Sequence, residues 1–237
     1  MKSSLFWMLM TCLAPTAFAN PAQVQQTYFG VARDGQGQIT YQERHKAAFL
    51  GNKVQKARTE YLNKDGQVIG ELESDFRQSL NVPNYHFNDL RDGSSHGITL
   101  EGDNYVVWRK MKNKDKEQKV FAKSKFSPDT LVVGCQGLHY DLANRLQDLN
   151  DKKKIPIKYL IPGKLDYYSF TMTKQGEDQD HIYLKISIDS IFLKIFTSAL
   201  ELKYRKSDLK LLQYSGLSNI PSDSGDTQNV KIDYAYR

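Results

Sequence analysis

The chain has 237 residues, 40% of them hydrophobic, and a formal net charge of +6. With 14 Tyr and 11 Phe it has too many aromatics to stay unfolded, and 15 Gly, 7 Pro and 2 Cys exclude collagen-like and disulfide-rich classes. The length is enough to bury one sizeable core.

Met1 and Lys2 give a short positive start, Leu5 to Leu13 is an apolar run, Pro15 breaks it, and Ala17-Phe18-Ala19 has the small-x-small form of a cleavage site before Asn20. This is the pattern of a bacterial-type secretory signal peptide, so residues 1–19 read as a leader and 20–237 as one exported, periplasmic domain. The apolar run is far short of the ~20 residues of a membrane span. Cys12 follows Thr11, where a lipoprotein site takes a small residue, so soluble export is expected over a lipid anchor. The mature chain would keep one thiol, Cys135, and could hold no internal disulfide.

From there period-two alternation dominates, the mark of strands with one buried face. Gly35-Gln36-Gly37 separates candidate strands 27–33 and 38–48, and Asp65-Gly66 joins 53–62 to 67–76 as a hairpin. In 67–76, Val68, Gly70, Leu72 and Phe76 fall in phase. A turn at Asn113–Lys116 joins 104–111 to 118–123. Later strands place Tyr168, Phe170 and Met172 on one face of 166–173, and Ile182, Leu184, Ile186 and Ile188 on one face of 180–188. Leu200, Leu202 and Tyr204 share a face of 199–205, and Val230, Ile232, Tyr234 and Tyr236 share a face of 230–236. Residues 218–228 read as a loop.

Between these strands, Leu138, Leu142, Leu146 and Leu149 recur at helical spacing, with Asp141–Arg145 and Asp148–Lys152 as i, i+4 pairs. This predicts a central amphipathic helix. Ile191, Phe192, Ile195 and Phe196 predict a short plug helix. The fold class expected is mainly β: an antiparallel curved sheet or incomplete β-barrel, with these helices against its apolar face.

Three stretches carry a resemblance: Gly134-Cys135-Gln136-Gly137-Leu138-His139-Tyr140-Asp141, Ile161-Pro162-Gly163-Lys164-Leu165-Asp166-Tyr167-Tyr168, and Leu211 to Ile220. They resemble uncharacterised proteobacterial exported proteins. The order of strands, helix, strands and terminal hairpin is similar to domains of unknown function grouped near the periplasmic lipoprotein-carrier (Lol) fold. That likeness implies an incomplete barrel around helices with an apolar cavity, and lipid or lipoprotein handling. It brings no catalytic residues and no cofactor, and fold alone does not fix function.

Read for chemistry, the residues offer a few candidates. Cys135 and His139, four apart with Asp141 beyond, could form a thiolate–imidazolium pair for acyl transfer, or could be packing residues. His45, His86, His96, His139 and His181 are scattered without metal-ligand spacing. Asn88–Gly93 and Asp223–Asp226 read as turns rather than calcium loops. Glu71, Glu73 and Asp75 share a strand face, as solvated residues do. Arg109, Lys110, Lys112, Lys114, Lys116, Lys119, Lys123 and Lys125 are interleaved with Trp108, Met111, Phe121 and Phe126; after export this suits anionic head groups more than nucleic acid, and the lysines would also guard an edge strand.

The reading that results is a monomeric envelope protein without enzymatic activity, binding a lipid-like or apolar ligand or an envelope protein. Its ligand face is Tyr168, Phe170, Met172, Ile182, Leu184, Leu200 and Leu202. The alternatives are an acyl-transfer enzyme using Cys135 and His139, and a scaffold with a filled core.

Overall fold

The structure is a computed structural model that describes residues 23–189 and 199–237. The leader and the Ile191–Phe196 plug helix expected from the sequence lie outside the described residues.

Fifteen strands form one sheet: β1 (Gln23–Arg33), β2 (Ile39–Leu50), β3 (Lys53–Leu62), β4 (Val68–Asp75), β5 (Asn84–Asp89), β6 (Ser95–Glu101), β7 (Asn104–Lys110), β8 (Lys116–Ala122), β9 (Leu131–Gly134), β10 (Lys154–Ile161), β11 (Asp166–Glu177), β12 (His181–Ile188), β13 (Leu200–Arg205), β14 (Leu211–Leu217) and β15 (Asn229–Tyr236). One helix, α1 (Gly137–Lys152), connects β9 to β10. The sheet is open and curved, and runs β8 to β1 in reverse chain order, then β15, then β14 back to β9. Two meanders are therefore joined through the pairing of β1 with β15.

Tight turns set the hairpins where the sequence placed them. Gly37 and Gly66 take φ of 81° and 78°, a left-handed conformation that glycine adopts without a Cβ clash. Asp34 and Asn63 brace these turns by accepting amide bonds from Gln36 and Gln38, and from Asp65 and Gln67. One ladder departs from the antiparallel rule. β9 and β10 are parallel, because α1 carries the chain over the sheet and returns it in the same direction. Pro156 lies opposite Thr171 of β11 and just before the pairing with β9, which starts at Ile157, so no bond to β9 needs its missing amide.

The curvature brings the two ends of the sheet together without a shared ladder. Arg109 Nη1 donates to Gly163 O at 2.9 Å, Lys119 pairs with Asp166 at 3.3 Å, and the Phe121 and Tyr167 rings stand 5.4 Å apart. β9 is buried on both faces and divides two cores. Val132 joins a cluster built on β1–β8 with Tyr41, Tyr61, Phe87, Ile98, Val107, Phe121 and Leu160. Leu131 and Val133 join a second cluster, in which α1 sits on β10–β13 with Leu138, Leu142, Leu149, Met172, Leu184 and Tyr204. Leu146 is half-buried against the same cluster, so all four leucines of the predicted stripe face the sheet. Asp141 pairs with Arg145 at 2.7 Å as expected, and Arg145 also reaches Asp148 at 3.7 Å. The helix ends at Lys153, whose φ of 62° turns the chain and whose amide closes on Leu149 O.

Candidate functional site

The seven residues predicted to face a ligand do share one face, and β11, β12 and β13 set them side by side. Cross-strand partners Met172, Ile186 and Leu200 form one row, and Leu184 and Leu202 the next. Met172, Ile182, Leu184 and Leu202 are buried under α1 and serve as packing. Tyr168, Phe170 and Leu200 are only half-buried; Phe170 and Leu200 pack at the margin of this cluster, and Tyr168 lies further along β11, opposite Tyr159. The apolar face thus has a buried part, packed with α1, and half-buried residues at Tyr168, Phe170 and Leu200. A separate groove of about 610 Å³ crosses β2–β7, lined by Lys46, Lys56, Arg58, Asp75, His86 and Trp108 among others. None of the seven predicted residues lines it.

Cys135 and His139 are not assembled as a reacting pair. Cys135 sits in the turn between β9 and α1 with φ of 48°, a conformation costly for a residue with a Cβ. The turn is fixed from several sides. Gly134 N–H donates to Asn81 O, Asn81 Nδ2 donates to Val132 O, and Tyr159 OH donates to Cys135 O. A Cβ on Gly137 would lie 2.0 Å from Asn81 O, so glycine is required there. Burial pushes the Cys135 thiol up to about 12, against the weaker pull of Gln136 and Ser74, which keeps it protonated at neutral pH. His139 is pushed down to about 4 by burial and by His45. Its ring lies against Tyr140 and Tyr204, with Nδ1 3.4 Å from Tyr204 OH. A neutral thiol and a neutral imidazole without a shared hydrogen bond lack the ion pair that nucleophilic catalysis needs.

The sequence reading missed a polar chain running through the interior beside this turn. Tyr234 OH donates to Glu43 Oε2 at 3.1 Å, and His45 Nε2 bonds the same oxygen at 2.8 Å. His45 Nδ1 is 2.8 Å from Thr59 Oγ1, Gln136 Nε2 donates to Thr59 Oγ1 at 3.0 Å, and Ser74 Oγ donates to Gln136 Oε1 at 3.2 Å. One proton order satisfies every link: His45 donates from Nε2 to the carboxylate, and Thr59 donates to the free Nδ1. Tyr28 stacks on His45 with centroids 4.2 Å apart and planes 5° apart. Gly30 leaves room for Glu43 and Tyr234, since a Cβ there would stand 3.1 Å from Glu43 Oε2 and 2.9 Å from the Tyr234 ring.

The sequence carried a signal for this chain. Tyr41, Glu43, His45 and Ala47 have one parity in β2, so an acid and a histidine fall on its buried face. Carboxylate, imidazole and hydroxyl follow the connectivity of a nucleophilic triad. Thr59, however, is 0% exposed and already accepts from Gln136, so no substrate carbonyl can approach it. The chain fastens Gln136, and with it the start of α1, to β2, β3 and β4.

The remaining candidates are engaged in local structure. Arg58 pairs with Glu71 at 2.7 Å and Glu73 at 3.5 Å, and Arg77 holds Asp75 below its ordinary carboxylate range. Asp89 braces the 88–93 turn through Arg91, and Asp226 braces 222–226 through Ser222 and Ser224. Burial and the neighbouring His86 push His96 down to about 4. No family model matches the chain, and no curated protein matches it in sequence.

Proposed function

We propose that the chain is an exported cell-envelope protein that binds a lipid-like or otherwise apolar ligand without chemical turnover. The observation that carries this reading is the half-buried Phe170 and Leu200 at the margin of the helix-covered core, with half-buried Tyr168 further along β11. Aromatic and aliphatic side chains that continue a sealed apolar cluster toward solvent suit an acyl chain or a similar group. The leader-like residues 1–19 and the architectural resemblance to the lipoprotein-carrier fold support the same reading. The protonated Cys135 thiol and its distance in chemistry from His139 favour binding over acyl transfer.

Titration with the neutral dye N-phenyl-1-naphthylamine tests it. The wild type is expected to enhance dye fluorescence, and Phe170→Glu to abolish the enhancement with an unchanged thermal transition. Native mass spectrometry of protein taken from its host envelope should show an added lipid mass. A folded wild type that binds neither dye nor lipid would place the filled scaffold ahead of the binding protein.

A further inference from the structure

The excess positive charge of the molecule is concentrated in one hairpin. Arg109 to Lys125 holds eight basic residues against two acids, Asp115 and Glu117, a net of +6 that equals the formal charge of the whole chain. Residues 110–120 are all exposed, so the charge stands on the surface at the β8 edge of the sheet. Among the described residues, only Arg109 and Lys119 of the eight form an ion pair, with Glu117 and Asp166. Lys110 lies directly opposite Lys116 across the ladder, an arrangement of like charges that costs stability unless an anion lies against it.

Guarding the edge explains lysines on β8 itself. It does not explain Lys112 and Lys114, which lie in the turn, or the apolar groups among them. Met111 is 46% exposed and Val120 52% exposed. Lysines around exposed apolar side chains, with a tryptophan beside them, are the chemistry of an interfacial anchor. Trp108 lies among these lysines and is poorly placed to stack a nucleobase. One face of its ring lies on Gly97, where a Cβ would come within 2.8 Å, and Lys116 Nζ stands over the ring 4.4 Å from its centroid.

We infer that the β7–β8 hairpin docks the protein on an anionic phospholipid surface, with Lys110, Lys112, Lys114 and Lys116 on the head groups and Met111 and Val120 in the interface. The inference does not rest on the apolar-ligand reading, because a chain that takes up no dye can still sit on a bilayer.

The test is co-sedimentation of the full chain with vesicles of phosphatidylethanolamine and phosphatidylglycerol, against vesicles of phosphatidylcholine alone. Binding is expected only to the anionic vesicles, and it should weaken as salt rises. Each lysine near such a surface is worth about a fivefold change in partition, so Lys110→Glu, Lys112→Glu and Lys114→Glu together should lower it at least about a hundredfold. The corresponding three Arg replacements should retain it. Met111→Ser keeps the charge and should lower partition about tenfold. Thermal melting confirms that each variant is folded. Equal partition into both vesicle types, or no loss in the triple Glu variant, overturns the inference. So does a wild type that ignores vesicles but shifts an oligonucleotide or polyglutamate.

Discussion

Replacing Thr59 by Val keeps the shape of the side chain and removes one hydroxyl from the buried polar chain. That hydroxyl, itself 0% exposed, meets two groups: buried His45 Nδ1 at 2.8 Å and half-buried Gln136 Nε2 at 3.0 Å. Each group left without a partner costs roughly 1–3 kcal/mol, so the variant should lose about 3 kcal/mol. For a domain of this size that is about 6–12 °C in Tm. Urea unfolding measures it, and a cycle with Gln136→Leu separates the link from the sites. Removing both partners leaves one fewer unsatisfied group, so the double variant should be more stable than the sum of the singles by about 1 kcal/mol or more. A loss below about 1 kcal/mol for Thr59→Val, or strict additivity, would show that the interior does not depend on these bonds.

Gly137→Ala should unfold the protein or cost several kcal/mol, since its Cβ meets the Asn81 backbone rather than a flexible side chain; a change in Tm of only a degree or two would contradict the packing of this turn. Leu142→Ala, at the centre of the α1 contact, should cost about 2–5 kcal/mol in urea unfolding with no change in secondary structure. Acidification should destabilise the fold between pH 6.5 and about 4. His96 and His139 are held neutral there while the unfolded chain takes up their protons, a loss approaching about 3 kcal/mol for each. His139→Phe should flatten that slope, and an unchanged pH profile would remove His139 as its source. A disulfide reagent at pH 8 should label Cys135 slowly in the folded protein and fast in urea, because burial keeps the thiol protonated.

The strands with one wet face were legible. β3 falls on the expected residues, β12 and β13 differ by one residue at their starts, and the leucine stripe located α1 to within a few residues. Part of what escaped does not alternate. Leu131-Val132-Val133-Gly134 is apolar throughout because β9 is covered on both sides, and so short a run has no period to read. β10 begins beside a lysine run and contains Pro156, which reads as a helix stop until its neighbour's short reach is known. β5 presents Tyr85 and Phe87 between polar residues that look like a loop. The polar chain was half legible, since Glu43 and His45 break the apolar parity of β2. Its partners Thr59, Ser74 and Gln136 come from three further segments, and only the folded register brings them together.

The seam between β1 and β15 has a consequence for the order of events during synthesis. Tyr28 pairs with Tyr236, so the centre of the sheet closes only when the chain has been made through β15, whereas every other antiparallel ladder joins strands close in sequence. Local hairpins can zip as they emerge, giving one meander from β1 to β8 and a second from β10 to β14. Until β15 arrives, each meander has a bare internal edge, β1 on one and β14 on the other, of the kind that recruits a stray strand. β15 is thus the strand that joins two half-sheets into a single sheet. A chain stopped before Asn229 should yield two half-sheets prone to aggregation rather than a slightly shortened protein.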